Sequence, residues 1–363
     1  MPADGDAYTV VQRHKRRGSA RPPTTQVDDD KVRVVRAPQA PLAEAVERVR
    51  SAYDARMQES KRMRSCASNM GPRSALNFVK AVLFSRLVAR GDAGLDLGCG
   101  RGHDVYKWDH VRPSWVAFAD LSESSLVEAE RRWRRARASF PATFCALDFT
   151  QGHHGLEGPL PSLRLVRVPM AQTEICADGE REAAFSVVSC QNALQYAPAS
   201  PGGLRNALAL VASALRRRGG IFFGVVPDAD RIRGALAAPT TTVGAPGWRQ
   251  CDFGSFRVSV QDRDHAAVGG SLETGTPYTF ESEDGMRCEQ YLVDFGDLVE
   301  EAARQGMALQ YDENCATWFA SEARSPINAV LAQHFKAAAS LGEETHRALS
   351  LYRLFVFRTN RKR

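Results

Sequence analysis

The sequence predicts an α/β fold built on a mostly parallel sheet. Segments typical of buried strands alternate with segments of helical periodicity through the middle of the chain, and glycine-rich or polar stretches separate them. This alternation is the pattern of successive β-α-β units, whose helices cover both faces of the sheet. The chain has 363 residues, of which 44% are hydrophobic and 25% charged, so it carries enough apolar material for such a core.

Composition excludes several other classes of protein. No apolar run approaches the roughly 18 residues that a membrane helix needs, and the polar N-terminus does not resemble a signal peptide. The eight cysteines form no C-x-x-C pair, and the histidines are dispersed, so we predict reduced thiols and no metal site. The net charge of +6 permits a polyanionic partner without requiring one.

The first 40 residues are predicted to form a disordered, basic tail. They contain few large apolar residues and carry the basic cluster His14–Arg17. That cluster could contact RNA or act as a nuclear address, and a solvated tail explains it equally well. Residues 41–363 are predicted to form a single domain.

Helices and strands of this domain follow from the apolar spacing and the turn residues. Two long segments do not fit the alternation, 149–184 and 236–277, and we interpret both as irregular insertions, the first with a short hairpin around Leu163–Val168. The predicted helices lie at about 41–53, 74–87, 103–108, 122–137, 203–216, 296–305 and 326–338. The predicted strands lie at about 95–97, 115–119, 143–147, 185–189, 221–226, 307–311 and 351–358.

A glycine-rich turn at Leu95–Gly102 is the sharpest local feature. Glycine allows a tight turn and a close approach of the backbone to a ligand. A dinucleotide fingerprint would read GxGxxG, whereas this turn reads GxGxG and follows Asp96. Asp96 would repel a phosphate but could orient a cationic amino acid group. An ordinary strand-to-helix junction is the alternative interpretation.

Two further carboxylates follow the next two predicted strands. Asp120 lies about 20 residues beyond the glycines, where a carboxylate can accept hydrogen bonds from both hydroxyls of a ribose. Asp148 ends the third strand, a position that suits an adenine amino group. Each aspartate alone could be a helix cap, but the carboxyl ends of parallel strands meet at one edge of the sheet. We therefore expect one crevice there.

Several motifs, in preserved order from about residue 50 to the C-terminus, resemble the mRNA cap guanine-N7 methyltransferases. The segment Leu95–Trp108 resembles a GCGKGGDLLKW-type motif, and Leu215–Asp228 resembles LKPGGYFIGTIPD. Shorter matches are Asn77–Lys80 to NNWIK, Ser189–Gln191 with Gln195 and Tyr196 to SCQ followed by His-Tyr, and Glu289–Phe295 to PEFLVYF.

The resemblance implies a Rossmann-like class I methyltransferase fold with a mostly parallel seven-stranded sheet, and S-adenosylmethionine as cofactor. By the same resemblance, the residues that contact the cofactor are Lys80, Gly98, Asp104, Asp120, Asp148 and Gln191. The pocket for the substrate guanine would be lined by Asn77, Gln195, Tyr196, Pro227, Glu289, Gln290 and Phe319. Gln195 stands where the family has histidine, and alignment on Tyr-Leu-Val puts Gln290, rather than Glu289, at the family's glutamate.

The expected reaction needs no general base, because guanine N7 carries a lone pair and no proton. Rate would come from proximity, orientation and electrostatics, so no catalytic residue is predicted, and Tyr196 and Glu289 would orient the base. Two alternatives stay open, a small-molecule methyltransferase and a non-catalytic domain that binds a cap or a partner protein. The arginine-rich run Glu130–Arg137 could contact the cap triphosphate, but its side chains point in several directions, so we expect most to be solvated.

The resemblance also implies that the substrate is 5′-capped RNA. The capping guanylyltransferase or triphosphatase would be a separate chain, and an activating subunit is an open alternative. The implied location is the nucleus, or the cytoplasm if the protein is viral.

Overall fold

The computed structural model describes residues 32–36, 44–59, 71–151, 185–237, 242–243, 247–261, 272–282, 286–337 and 341–360. Its helices are α1 Glu44–Glu59, α2 Pro72–Leu87, α3 Val105–Val111, α4 Glu123–Ala136, α5 Gly203–Ala214, α6 Ala229–Ala237, α7 Phe295–Arg304, α8 Cys315–Glu322, α9 Ala329–Phe335 and α10 Glu343–Ser350. Short 3-10 helices cover Leu194–Ala199 and Pro326–Asn328.

The strands form two sheets. The main sheet contains β1 Val32–Arg36, β2 Ala93–Leu97, β3 Trp115–Asp120, β4 Ala142–Ala146, β5 Val187–Gln191, β6 Arg218–Pro227, β12 Met307–Asn314 and β13 Tyr352–Asn360. The second sheet contains β7 Thr242–Val243, β8 Trp248–Asp252, β9 Phe256–Gln261, β10 Pro277–Ser282 and β11 Arg287–Tyr291.

The main sheet has the strand order β1-β4-β3-β2-β5-β6-β13-β12. All neighbouring pairs are parallel except those of β13, which is antiparallel to both β6 and β12. Seven of these strands form the predicted mostly parallel sheet, which is therefore confirmed, and β1 adds an eighth at the edge beside β4. The chain runs outward from β2 in one direction and from β5 in the other, so β2 and β5 flank the topological switch point where ligands bind in open α/β sheets.

Hydrophobic layers cover both faces of this sheet, which explains why its strands read as continuous apolar runs. Successive residues of β3 point to opposite faces, so Val116 and Phe118 join one buried cluster while Ala117 and Ala119 join the other. The first cluster also contains Phe78 and its neighbours on α2. The second lies against α5 and α7.

The second sheet corrects the prediction of an irregular insertion at 236–277. Its five strands are ordered β11-β10-β9-β8-β7 and all pairs are antiparallel. Phe256, Val258 and Val260 alternate along β9, and the two valines are buried in the cluster that also holds Phe78. Period-2 alternation of this kind is the mark of a half-buried strand, so the sequence carried a signal that the prediction did not use.

The N-terminal prediction is also wrong for five residues, because Val32–Arg36 pair in parallel with Ala142–Ala146. Three of these five residues are valine, a β-branched type that favours strands, and the open edge of β4 supplies the pairing partner. The remainder of the predicted tail lies outside the described residues, as does the hairpin predicted around Leu163–Val168.

Two helices near the C-terminus, α8 and α10, were not predicted. The predicted helix at 326–338 is a 3-10 turn followed by α9. Within the described part of the chain, none of the helices combines the length and the apolar character required to cross a lipid bilayer.

Candidate functional site at the carboxyl edge of the main sheet

The glycine-rich turn leaves β2 at the switch point and is held by backbone contacts. The N–H groups of Gly98 and Cys99 donate to the carbonyl oxygen of Ala119 at 2.8 and 3.0 Å. Gly98 has φ +70°, and a Cβ there would lie 2.3 Å from the Cβ of Ala193. Gly100 has φ +52°, and a Cβ there would meet nothing within 4 Å. At Gly98 the turn therefore packs tightly against the segment after β5, whereas at Gly100 it faces open space.

Asp120 ends β3 beside this turn. Its carboxylate accepts hydrogen bonds from the N–H of Gly100 at 2.7 Å and of Ser122 at 2.9 Å, so one side chain connects the glycine turn with the start of α4. Part of Asp120 is exposed, but burial of its carboxyl raises the pKa to about 6, against the lowering effect of the two N–H donors. Each carboxylate oxygen keeps a second lone pair, so Asp120 can also accept from ligand hydroxyls.

Asp96, one position inside β2, is buried and accepts a hydrogen bond from the indole N–H of Trp108 at 3.1 Å. Burial, together with the nearby Asp104 carboxylate, raises the pKa of Asp96 to about 7. The sequence suggested that Asp96 could orient a cationic group of a ligand. The structure instead shows a carboxyl group that ties the strand to α3, with Lys80 and Lys107 within electrostatic range.

A buried charged cluster lies at the start of α3. Asp104 accepts from Lys107 Nζ at 2.6 Å and from Lys80 Nζ at 3.3 Å, and Lys107 Nζ also donates to Asn77 Oδ1 at 3.0 Å. Burial alone would raise the pKa of Asp104, but the two ammonium groups lower it below its ordinary range. The structure thus joins Lys80, Asp104 and Asn77, three residues predicted for two different ligands.

Lys107 was missed as a site residue, although it lies within the segment Leu95–Trp108 that carried the resemblance. Its side chain is about as buried as that of Asp104, 8% against 9% exposed. The sequence does not distinguish a buried lysine from one on the surface. The pairing with Asp104 is local, three residues apart, whereas the contact with Asn77 forms only when α2 packs against α3.

Asp148 follows β4 and closes its own turn. Its Oδ1 accepts from the backbone N–H and the hydroxyl of Thr150 at 2.9 and 2.7 Å, and its Oδ2 accepts from Gln151 Nε2 at 3.1 Å. This is the helix-cap or Asx-turn type of contact that the sequence left open as an alternative. Contact of Asp148 with an adenine group stays a prediction.

Two glutamines, one at the end of β5 and one shortly after it, carry buried oxygen atoms that lack a hydrogen-bond partner among the described residues. Gln191 Nε2 donates to Ser189 Oγ at 3.0 Å, and Gln195 Nε2 donates to the carbonyl and side-chain oxygens of Asn192 at 3.0 and 3.2 Å. These bonds fix both amides so that Gln191 Oε1 and Gln195 Oε1 are left unpaired. An unpaired buried acceptor costs about 1–3 kcal/mol, so a ligand with N–H donors would relieve that cost.

A second buried polar group joins the main sheet edge to the second sheet. Gln290 Oε1 accepts from the Tyr278 hydroxyl at 2.8 Å, and Gln290 Nε2 donates to the Tyr196 hydroxyl at 3.2 Å. The Tyr196 hydroxyl also lies 3.6 Å from Cys288 Sγ. Burial raises the pKa of Tyr278 well above its ordinary value, so its hydroxyl remains a donor.

Glu289 lies on the other face of β11. Its carboxylate pairs with Arg48 of α1 at 3.0 Å and also accepts from the Tyr291 hydroxyl. Adjacent strand residues point to opposite faces, so Glu289 and Gln290 cannot both face Tyr196. The structure places Gln290 against Tyr196 and Glu289 against Arg48 of α1, and contact of Glu289 with the base stays a prediction.

Two other predicted residues occupy different settings. Pro227 ends β6 at the same sheet edge and is paired with Tyr352 of β13. Phe319 has no exposed surface and packs edge-on against Phe78, with ring centroids 5.1 Å apart. The ring is thus part of the hydrophobic core, and contact of Phe319 with a ligand stays a prediction.

The residues of the switch point fit a ligand that carries a carboxylate, a ribose and amino groups. Ammonium groups, a carboxylate acceptor and unpaired carbonyl oxygens are all present, and Gly100 leaves open space beside them. Among the described residues, no group of three or more histidine, cysteine, aspartate or glutamate side chains has the arrangement of a metal site.

Comparison with known proteins gives one family over most of the chain. Residues 39–360 match the family described as the mRNA (guanine-N(7))-methyltransferase domain. A protein of rice (Oryza sativa subsp. japonica) named mRNA cap guanine-N(7) methyltransferase 1 is 28% identical over 255 residues, which is 68% of this chain and 62% of the rice protein. Its namesake from Arabidopsis thaliana is 29% identical over 248 residues, 66% of this chain and 59% of that protein.

The chain thus spans about three fifths of the length of these curated relatives. Among solved structures, an S-adenosylmethionine-dependent methyltransferase from Clostridium acetobutylicum aligns with a TM-score of 0.43 and 12% identity, over 84% of this chain and 98% of that one. That score is too low to support a conclusion, and the strand order described above carries the fold assignment.

Proposed function

This chain belongs to the mRNA (guanine-N(7))-methyltransferase domain family, and from that premise we propose that it methylates N7 of the 5′-terminal guanosine of capped RNA. The methyl donor is S-adenosylmethionine. The observation that carries the proposal is the set of complementary groups at the β2–β5 switch point. There a carboxylate, two ammonium groups and two unpaired carbonyl oxygens lie around the glycine turn.

The cofactor residues of the proposal are Lys80, Gly98, Asp104, Asp120, Asp148 and Gln191. Asp120 accepts the ribose hydroxyls, because its oxygens retain lone pairs next to the turn. The ammonium groups of Lys80 and Lys107 provide positive charge for a carboxylate, and Gln191 Oε1 accepts from an amino group. When bound, S-adenosylmethionine supplies an electrophilic methyl group on its sulfonium.

For the guanine, the proposal uses Asn77, Gln195, Tyr196, Pro227 and Gln290. Gln195 Oε1 is a fixed acceptor for an N–H of the base, and Tyr196 is held in place by Gln290. Glu289 is given a supporting role instead, because it fastens β11 to α1 through Arg48. Since N7 has a lone pair and no proton, these residues only orient the base and exclude water, and none of them has to remove a proton.

The test is transfer of a labelled methyl group. The protein is incubated with labelled S-adenosylmethionine and either GpppG-capped RNA or the same RNA without a cap, and the product is digested and chromatographed. The proposal expects label in the cap guanosine at N7 and none in uncapped RNA. Label on a small molecule but not on the cap would favour a small-molecule methyltransferase, and cofactor binding without any transfer would favour a non-catalytic domain.

Partners and location belong to the same proposal. The RNA substrate must receive its guanosine cap first, so a guanylyltransferase and a triphosphatase, on a separate chain, act before this protein. An activating subunit is compatible with the domain. We propose the nucleus as location, or the cytoplasm for a viral protein, and imaging of a fluorescent fusion decides between them.

A further inference from the structure

A basic surface with one exposed aromatic ring lies at the rim of the glycine turn. It consists of Arg73, His103, Tyr106, Arg132 and Arg135, and we call these five residues the α3–α4 basic surface. Tyr106 is 56% exposed, and the side chains of Arg73 and Arg135 are exposed as well. His103 directly follows the glycine turn, and Tyr106 lies in the first turn of α3. The surface therefore begins where the proposed cofactor site ends.

These side chains are close enough to act on one another. Arg132 Nη1 lies 2.8 Å from His103 Nδ1. Desolvation of the ring and the Arg132 guanidinium lower the pKa of His103, so the ring is neutral and accepts this hydrogen bond. Arg73 acts electrostatically on both His103 and Arg132, and Tyr106 and Arg135 act on Arg132.

The surface keeps a net positive charge. Arg132 has one ion-pair contact among the described residues, with Glu128 at 3.8 Å, and Glu128 lies closer to Arg131, at 2.6 Å, which is outside the surface. In the described part of the chain, Arg132 Nε is buried and has no hydrogen-bond partner. Arg73 and Arg135 form no ion pair with the described residues, so the three guanidinium groups keep a positive excess. This arrangement suits a phosphate chain better than a neutral ligand.

We propose that the α3–α4 basic surface binds the RNA nucleotides that follow the cap. The guanidinium groups neutralise the phosphates, and an unpaired base stacks on Tyr106. Proteins that bind single strands combine these two elements, a positive groove along the backbone and aromatic rings for the bases. The inference rests on the proposed function, because it makes these nucleotides part of the substrate whose cap the proposed site receives.

The experiment measures binding, by fluorescence anisotropy, of a capped single-stranded RNA of about 20 nucleotides and of the cap dinucleotide alone. Tyr106→Leu should weaken binding of the RNA about fivefold or more, the effect of losing one stacked base. Arg135→Gln should reduce the slope of log affinity against log salt by about 0.7, the value for one phosphate contact with a single strand. Affinity for the dinucleotide should change less than twofold in both variants.

Arg90→Gln is the matched control, because it removes the same charge from an exposed residue between α2 and β2, at the opposite edge of the sheet. The control should bind the RNA like the wild type, and thermal melting shows that each variant is folded. If Tyr106→Leu or Arg135→Gln binds the RNA like the wild type, or if the control loses as much affinity, the assignment is overturned. Absence of methyl transfer by the wild type would refute the proposed function. The RNA affinities of the variants relative to the wild type would still test whether this surface binds RNA.

Discussion

Replacement of Asp120 by asparagine should remove the pH dependence of S-adenosylmethionine binding. In the wild type the pKa of Asp120 is about 6. The carboxylate form accepts from ligand hydroxyls, so affinity is full above that pH and falls as the pH drops through it. At about pH 5 roughly one tenth of the protein carries the ionised group. The apparent affinity should therefore be about tenfold lower than at pH 8, or about 1.4 kcal/mol.

The Asn variant should bind more weakly at every pH. Its amide nitrogen cannot accept from Gly100 or Ser122, and it cannot offer the second charged acceptor to a ribose. Loss of one charge-assisted hydrogen bond costs about 1.5–3 kcal/mol, so we expect a dissociation constant roughly 10- to 100-fold higher at pH 8. Between pH 5 and pH 8 the variant should then change much less than the wild type.

Isothermal titration calorimetry with S-adenosylhomocysteine, at steps between about pH 5 and pH 8.5, measures both effects. Use of the product avoids turnover, and subtraction of the variant from the wild type removes the titration of the ligand and of other residues. A wild-type affinity that is constant over this range, or an Asn variant that keeps the wild-type affinity, would refute the role given to Asp120.

Three more predictions concern the same sheet edge. Gly98→Ala should lower the melting temperature clearly, because φ is positive and its Cβ would lie 2.3 Å from a neighbouring β-carbon. Gly100→Ala shares the strain of a positive φ but meets no atom within 4 Å, so it should lower the melting temperature less and weaken cofactor binding in a titration. Gln195→His should keep or raise the rate of methyl transfer. Gln195→Leu should raise KM for the cap about tenfold, because an acceptor for the base is lost. It should cost little thermal stability, because the lost oxygen is buried and unpaired. Asp96 holds its proton to about pH 7 in the folded chain, so wild-type stability falls as pH rises toward 7. Between about pH 5.5 and pH 8.5, the free energy of unfolding measured with urea should fall by about 2 kcal/mol less in Asp96→Asn than in the wild type. The same pH dependence in both proteins would contradict this prediction.

Local sequence was sufficient for most of the main sheet and for the glycine turn and carboxylates at its edge. Glycines spaced for a tight turn and aspartates at strand ends are set by chemistry that acts within a few residues, so the sequence alone was enough to place Gly98 and Asp120 at the sheet edge. The helix α2 and the strands β2 to β4 were predicted for the same reason, since their apolar spacing reports which faces are covered.

The guanine half depended on tertiary contacts that no local pattern encodes. Whether Glu289 or Gln290 faces Tyr196 is a question of strand register, and the pairing of β11 with β10 in the second sheet decides it. Phe319 could equally be a pocket wall or core packing from its residue type alone. Its contact with Phe78 across two helices made it core.

The sequence by itself determined the α/β alternation, the glycine turn and the carboxylates at the sheet edge, because each follows from short-range backbone and solvent preferences. Only the tertiary structure decided which charges pair. Asp104 gained the ammonium group of Lys80 from α2, and Glu289 paired with Arg48 of α1, because packing brings together residues that are distant in sequence. A buried charge must find its partner wherever the fold places one, and that choice is made in three dimensions.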